Sequence, residues 1–332
     1  MANFLTTSHE VLQRFPVKYM QYAFCYGSGA FKQSGSDMKS NVLDYIFVVN
    51  NSKGFHADNI KQNPKDYSFL KYLGSDAVYK VQGTGVYFNT LVPLESRTIK
   101  YGVVGSLDFK SDLLDWTTLY LSGRLHKPVH VIHSTHDAAI DAAIRTNLES
   151  AMHASLLLLP DYFTETQLFL TVASLSYSGD FRMTVGEDKN KVANIVTPNL
   201  HHFTQLYKEV LENEEHLLWN KESGTFEQVP NFATRFHHLN QLPWGILERL
   251  VIYRNKDGRS RDTEEVIRLL ATDELNCAEV VSRSISDIVR SSSWNQTVKS
   301  ALAAGGMKSF RYASAKLKKM VKSQMRSMFG SS

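Results

Sequence analysis

The hydrophobic pattern of the chain changes once, near Asp137, and this change limits the folds that the chain can adopt. Before Asp137, short β-rich runs such as QYAFCYGSG, VLDYIFVV, GVYFNTLV, IKYGVVG and KPVHVIH alternate with turns and helical segments. After it, helix follows helix, beginning with HDAAIDAAIRTNLESAMHASLLLLP, which Pro160 ends. We therefore predict an α+β chain, with a mixed sheet and helices first and a mostly helical part second.

The length of 332 residues favours about two domains over a single core. We predict a first domain over residues 1–140, a helical domain over residues 141–300 and a basic tail over residues 301–332. The charged fraction of 21% and the apolar fraction of 43% are typical of a globular protein. No apolar run approaches the roughly 20 residues that span a bilayer.

Cysteine usage and the first residues give weaker information. The two cysteines, Cys25 and Cys277, are too few for a disulfide framework, so we expect free thiols in a reducing compartment. The first 15 residues, MANFLTTSHEVLQRF, lack the apolar segment of a secretory signal. With Glu10 and a single arginine, they also differ from an organelle transit peptide.

A glycine–serine turn and a lone carboxylate follow each other in the first part of the chain. Gly27, Ser28 and Gly29 end one apolar run, and Asp44 lies inside the next. Backbone N–H groups at such a turn can bind a phosphate, and the serine hydroxyl adds a donor. An aspartate on the neighbouring strand can hold Mg²⁺ against the same phosphates. The same residues also suit an ordinary turn between strands, so both interpretations stay open on this evidence.

Longer motifs carry a resemblance to a known family. They are YGSGAFKQSG, VLDYIFVVN, GVYFNTLV, IKYGVV, DLLDWTTLYLSGRLHKPV and SYSGDFRMTVGEDKNKVANIV. In this order they resemble the mitochondrial translocator assembly and maintenance family, whose members are CDP-diacylglycerol synthases. The resemblance extends from about residue 20 to residue 290.

This resemblance implies both an activity and a fold. The implied reaction joins CTP and phosphatidic acid into CDP-diacylglycerol and pyrophosphate with a divalent metal, for phospholipid and cardiolipin synthesis. The implied fold is a nucleotidyltransferase-like domain followed by a winged-helix-like domain and a membrane-binding C-terminal element. The implied location is the matrix side of the mitochondrial inner membrane, where members are peripheral proteins.

The resemblance also implies site residues. Gly27 and Ser28 would contact the CTP phosphates, and Asp44 would bind Mg²⁺. Related nucleotidyltransferases have a second carboxylate two residues further along the strand, but this chain has Ile46 there. We therefore expect the second acid elsewhere, with Asp180 as the candidate metal and catalytic residue.

Other charged residues complete the predicted site. Lys100, Arg124 and Lys127 are cations suited to the triphosphate, to pyrophosphate or to the lipid phosphate, and Lys191 lies in the charged segment with Asp180, Arg182 and Glu187. Arg124 and Lys127 also suit a solvated helix end. Asp112 is a second candidate acid, but it occupies the position expected for a helix N-cap.

Two kinds of chemistry are not expected. The adjacent pairs His201–His202 and His237–His238 each direct their side chains differently, and neither cysteine partners nor an HExxH motif is present. We therefore expect no zinc site. The sequence also contains no GxSxG, Walker A or GxGxxG motif, which argues against hydrolase or P-loop chemistry.

The C-terminal segment SFRYASAKLKKMVKSQMRSMF has apolar residues near one helical face and cations on much of the rest. From Ser291 to the end there is no acidic residue. This pattern predicts a basic amphipathic helix that binds an anionic membrane surface. A helix packed on its own domain and a nucleic-acid arm are the alternatives.

The sequence also suits two functions other than that of a cytidylyltransferase. A non-catalytic assembly factor for a mitochondrial membrane translocase would explain Ile46 at the expected acidic position. A polymerase-like enzyme acting on RNA would use the basic tail. The net charge of +4 and the absence of evident aromatic platforms make nucleic acid the least favoured partner.

Overall fold

The structure of the chain is a computed structural model that describes residues 2–34, 41–95, 97–180, 183, 190–229 and 231–296. Its first part contains a five-stranded mixed sheet. The strands are β1 (Met20–Tyr26), β2 (Leu43–Val49), β3 (Tyr87–Pro93), β4 (Thr98–Gly105) and β5 (His130–Ser134). Their order is β3-β4-β2-β1-β5, with β2 and β4 parallel and the other neighbours antiparallel. The predicted α+β class with a mixed sheet is confirmed.

Helices cover both faces of this sheet. They are α1 (Ala2–Arg14), α2 (Ser52–Gln62), α3 (Gly74–Gln82), α4 (Ser106–Asp115), α5 (Ser122–Leu125) and α6 (Ala138–Leu156). Alternate residues of a strand point to opposite faces. In β2, Tyr45 and Phe47 therefore lie in one core with Phe55 of α2, while Ile46 and Val48 lie in the other with α4, α5 and α6.

The spacing of apolar residues in DLLDWTTLYLSGRL predicts a single helix that ends near Gly123. This prediction is wrong, because α4 ends at Asp115. Trp116 adopts a left-handed conformation with φ of 51°, and its indole N–H donates to Asn147 at 2.9 Å. Asp112 is not the N-cap of this helix, since it lies buried in the last turn of α4. Its carboxylate accepts the backbone N–H groups of Leu121 at 2.7 Å and Ser122 at 3.1 Å, so it stabilises the start of α5 instead.

The second part of the chain is mostly helical, with a small sheet. The helices are α7 (Glu165–Ser174), α8 (Lys191–Val196), α9 (Leu200–Asn213), α10 (Phe232–Asn240), α11 (Trp244–Arg254), α12 (Thr263–Thr272) and residues 274–296. The antiparallel strands β6 (Tyr162–Thr164), β7 (Leu217–Asn220) and β8 (Thr225–Gln228) lie in the order β6-β8-β7. Thr164 caps α7 in a capping box with Gln167, as its position predicts. The winged-helix assignment of this part stays a prediction.

Helix α6 connects the two cores. Ile140 and Ala143, near its start, pack in the core beneath the sheet. Ala151 and Met152, two turns later, belong to the core of the helical part. The predicted division at residue 140 therefore falls inside one continuous helix, and the division into domains stays a prediction.

Some predicted features lie outside the described residues. These are the basic tail over residues 301–332, Arg182 and Glu187. In the part of the chain that the structure describes, no helix combines the length and the apolar character needed to cross a membrane. Cys25 and Cys277 are both buried and free.

Candidate active site

Three polar side chains form a row across the middle of the sheet, which we call the Asp44 row. Tyr26 of β1 pairs with Asp44 of β2, and Asp44 in turn pairs with Lys100 of β4. The Lys100 Nζ atom lies 3.5 Å from Asp44 Oδ1 and 4.2 Å from the centre of the Phe88 ring. The Asp44 side chain is 26% exposed, so its carboxylate is accessible from solvent. The row therefore offers one carboxylate and one cation at the end of β1.

The chain turns sharply directly after β1, in what we call the Gly27 turn (residues 27–31). Gly27 has a φ of +80°, a conformation that glycine adopts without steric cost. Its carbonyl accepts the N–H groups of Ala30 at 3.0 Å and Phe31 at 2.9 Å. A Cβ atom on Gly27 would lie 3.5 Å from Asp44 Oδ2. Glycine thus leaves this side of the carboxylate uncovered by any side chain of residue 27.

Contacts with both parts of the chain hold the Gly27 turn and the residues after it. The Phe31 ring stacks on His130 of β5, with ring centres 4.2 Å apart. The Asn199 side chain, which precedes α9, donates to the Lys32 carbonyl at 2.7 Å. Ser34 N–H donates to the Asn194 carbonyl of α8 at 3.2 Å. The position of the turn therefore depends on the helical part as well as on the sheet.

Arg124 of α5 joins the Asp44 row through aromatic rings. Its guanidinium carbon lies 3.7 Å from the centre of the Tyr120 ring and 5.1 Å from that of Tyr26. Its NH1 group also donates to the Tyr120 carbonyl. Burial acts against its charge, but Tyr120 and Tyr26 beside it raise the pKa of Arg124 above its ordinary value. Arg124 is thus a fixed cation next to the row, held by two aromatic faces.

A second pair of cations surrounds Tyr177, and we call Lys127, Tyr177 and Lys191 the Tyr177 cluster. The Nζ atoms of Lys127 and Lys191 each lie 5.2 Å from the centre of the Tyr177 ring. Lys127 also donates to the Gly123 carbonyl and, at 2.9 Å, to the Ser176 hydroxyl. Burial, with Arg124 and Lys191 nearby, lowers the pKa of Lys127 to about 7. The structure thus brings together two lysines that are 64 positions apart in the sequence.

Asp180 lies three residues after Tyr177 and is buried, with 4% of its surface exposed. Its backbone N–H donates to the Tyr177 carbonyl at 3.1 Å. The preceding Gly179 has a φ of +76°, and a Cβ atom there would lie 2.4 Å from the Ser286 carbonyl oxygen. Asp180 therefore belongs to a tightly packed turn beside the Tyr177 cluster. Its role as a second metal ligand stays a prediction.

The donor atoms at Asp44 fit a hard cation. A partly exposed carboxylate oxygen is the ligand type that Mg²⁺ prefers, and substrate phosphates and water can complete its shell. The neighbouring position on the same face, Ile46, is fully buried in the core under α4, so no second acid comes from β2. The residues present therefore fit one cation bound by Asp44 together with substrate oxygens.

The sequence pattern singles out Tyr177 beside the charged segment around Asp180, but it does not single out Tyr26 or Tyr120. Tyr26, Tyr120 and Tyr177 position the predicted cations Arg124 and Lys127, and Tyr177 also contacts Lys191. The position of Tyr26 could have been predicted from the strand pattern. Alternation along β1 places it on the same face as Phe24, and pairing with β2 places it next to Asp44.

Comparisons with known proteins agree on one family. Residues 8–319 match the family model described as "Phosphatidate cytidylyltransferase, mitochondrial". Proteins with this name from Xenopus laevis and Danio rerio are each 42% identical to the chain, over 95% and 93% of both sequences. The protein of this name from Caenorhabditis elegans is 41% identical, over 95% of this chain and 98% of its own length.

A solved structure gives a weaker match. It is a nucleotidyltransferase-like protein from Exiguobacterium sibiricum, with 9% sequence identity and a TM-score of 0.26, and the match covers 89% of this chain and 78% of that one. A similarity of this size adds nothing to the assignment of the site.

Proposed function

The chain belongs to the mitochondrial phosphatidate cytidylyltransferase family, and we propose that the Asp44 row and the Gly27 turn form its CTP site. The reaction of this family joins CTP and phosphatidate into CDP-diacylglycerol and pyrophosphate. The observation that carries the proposal is that Gly27, which has no side chain, lies directly beside the partly exposed Asp44 carboxylate, with Lys100 3.5 Å from that carboxylate. A phosphate group and its counter-cation would bind beside this carboxylate, and a side chain at position 27 would stand against it.

The triphosphate would be bound by groups that are already in place. The backbone N–H groups of Ser28 and Gly29 and the Ser28 hydroxyl can donate to phosphate oxygens. Lys100, which lies 3.5 Å from Asp44, and Arg124 can neutralise the negative charge that increases on the leaving pyrophosphate. Asp44, with Asp180 as the proposed second ligand, would bind Mg²⁺, which when bound neutralises part of the triphosphate charge.

The chemical step does not need a strong base. An anionic oxygen of phosphatidate attacks the α-phosphorus of CTP, a new oxygen–phosphorus bond forms, and the bond to the bridging oxygen of the β-phosphate breaks. Pyrophosphate leaves with the electron pair of that bond. Because the attacking oxygen is already ionised near neutral pH, positioning and charge neutralisation are the main tasks of the protein.

We propose that the Tyr177 cluster binds the phosphate of phosphatidate. Lys127 and Lys191 form a pair of cations on one aromatic ring, and Arg124 lies between this pair and the Asp44 row. Two anionic substrates must meet in one site, and two separate groups of cations can keep their phosphates apart until they react.

The pH dependence of phosphatidate binding tests this role. Lys127 has a pKa of about 7, so in the free protein it loses its proton as the pH rises above 7. Only the protonated form attracts the lipid phosphate, so the apparent KM for phosphatidate should rise up to about tenfold per pH unit above pH 7. The measurement compares KM for phosphatidate and for CTP between about pH 6.5 and 8.5, in steps of about half a pH unit.

Phosphatidate itself also titrates, so the comparison needs a variant. Lys127→Met should weaken phosphatidate binding at pH 6.5 and remove the protein's share of the pH dependence, while Lys61→Met, at an exposed position of α2, should match the parent protein. Equal pH profiles for the parent and Lys127→Met would contradict the assignment.

As a member of this family the chain is a mitochondrial enzyme. We propose that it acts as a peripheral protein on the matrix side of the inner membrane and supplies CDP-diacylglycerol for cardiolipin synthesis. The support for membrane binding is the sequence pattern of residues 301–332, where cations are frequent and acidic residues are missing. A lipid substrate and a lipid product make binding at a membrane surface chemically necessary.

Liposome binding tests the role of the tail. Replacing Lys316, Lys318, Lys319 and Lys322 with Gln should reduce co-sedimentation with anionic liposomes by more than about 100-fold, since each cation contributes on the order of 1 kcal/mol. Replacing the same four residues with Arg keeps the charge and should preserve binding. Equal binding by the Gln and Arg variants would show that the tail does not act through its charge.

A further inference from the structure

A cluster of histidines and one carboxylate lies in the helical part, apart from the residues of the proposed active site. It consists of His153 of α6, Glu214 directly after α9, and His237 and His238 of α10. One possible ligand atom of each residue lies within 4.8 Å of those of the other three. We call these four residues the histidine cluster. Three separate segments of the chain meet there.

Two distances in the cluster already match those between the ligands of a zinc ion. The Nδ1 atoms of His153 and His238 are 3.0 Å apart, and His153 Nδ1 lies 3.4 Å from Glu214 Oε2. In a tetrahedral zinc site with bonds of 2.0–2.1 Å, neighbouring ligand atoms are about 3.3 Å apart. The other ligand atoms lie within 4.8 Å of one another, so they must approach by up to about 1.5 Å to complete such a site.

The charges in the cluster favour a bound cation. Glu214 has a side chain that is 4% exposed, and its carboxylate accepts the backbone N–H of His216 at 3.1 Å. A buried carboxylate is stabilised by a positive charge close to it. Neutral imidazole is also the form that binds metals.

An unsatisfied atom gives independent support. The Nε2 atom of His238 is buried and has no hydrogen-bond partner among the described residues, although only 1% of His238 is exposed. Buried polar atoms without partners are uncommon in folded proteins. The Nδ1 atom of His238 therefore contacts His153, and its Nε2 atom has no hydrogen-bond partner among the described residues. Either nitrogen can serve as a metal ligand.

We propose that His153, Glu214, His237 and His238 bind a structural zinc ion that joins α6, the end of α9 and α10. Three imidazole nitrogens and one carboxylate are borderline ligands that suit Zn²⁺ better than Mg²⁺. Four protein ligands leave no position for a substrate, as in structural sites. The sequence-based expectation of no zinc is thereby revised, because it considered His237 and His238 without His153, which lies 85 positions before His238.

Metal analysis of the full chain tests this proposal. The protein is stripped with a chelator and titrated with Zn²⁺ and with Co²⁺, whose visible absorption reports tetrahedral coordination. We expect one bound ion per chain and a higher thermal unfolding midpoint with Zn²⁺. Glu214→Gln and His153→Gln should each weaken zinc binding by more than about 100-fold, whereas His201→Gln, at an exposed position of α9, should not.

The outcome is independent of the active-site proposal. Asp44→Asn should retain the zinc ion with unchanged affinity, because Asp44 belongs to the sheet. The number of zinc ions per chain is measured on the parent protein, so this result does not depend on whether a variant folds. Failure of the parent to bind stoichiometric zinc, or binding unaffected by Glu214→Gln and His153→Gln, would overturn the proposal.

Discussion

Replacing Asp44 with Asn is expected to lower the rate of CDP-diacylglycerol formation by about 100- to 1,000-fold. Asparagine has nearly the same shape, so β2 and its pairing with β1 and β4 should persist. The substitution removes the negative charge that fits a cation beside the triphosphate and that lies 3.5 Å from Lys100. The measurement is the initial rate with saturating CTP and phosphatidate-containing liposomes.

A matched control separates this effect from a general loss of charge. Asp76 lies on α3 of the same part of the chain, where it pairs with Lys53 at 2.7 Å and is mostly exposed. Asp76→Asn makes the same chemical change outside the site and should leave the rate unchanged. If Asp44→Asn and Asp76→Asn were equally active, Asp44 would have no part in the reaction.

Gly27→Ala is expected to have the second largest effect, a fall of about 100-fold in kcat/KM for CTP. Two causes act together at this position. A Cβ atom would lie 3.5 Å from Asp44 Oδ2, inside the space proposed for the triphosphate. The φ of +80° also strains any residue with a side chain by about 1–2 kcal/mol, which can shift the turn.

Gly74 provides a control for the strain. It has a φ of +82°, but a Cβ atom there would meet no other atom within 4 Å. Gly74→Ala should therefore lower stability and leave the kinetics unchanged. Equal losses of kcat/KM in the two variants would mean that backbone strain, and not a Cβ atom beside Asp44, accounts for the effect. Thermal unfolding of both proteins gives the comparison of stability.

The strands and most helices could be predicted because their patterns are local. The apolar runs of β1 and β2, the cap at Thr164 and the end of α6 before Pro160 all follow from neighbouring residues. The helix predicted from Asp112 failed because Trp116 breaks it. The burial of its indole and its hydrogen bond to Asn147, 31 positions away, are tertiary contacts that a helical periodicity does not contain.

The site could be predicted in part for the same reason. The Gly27 turn and Asp44 flank one loop, so pairing of β1 with β2 brings them together. The contacts of Arg124 with Tyr26 and of Lys127 with Tyr177 depend on the packing of α5 against the sheet and the helical part. The histidine cluster requires three distant segments to meet, which spacing along the chain does not reveal.

We propose that the chain transfers the cytidylyl group of CTP to phosphatidate at the Asp44 row and the Gly27 turn. The most direct measurement uses CTP labelled at the α-phosphate with phosphatidate-containing liposomes, and follows the label into the lipid phase together with pyrophosphate release. We expect labelled lipid and pyrophosphate in equal amounts, dependent on phosphatidate and lost in Asp44→Asn. Binding of CTP without label in the lipid phase, by folded protein supplied with Mg²⁺, would contradict the account and favour a non-catalytic assembly factor.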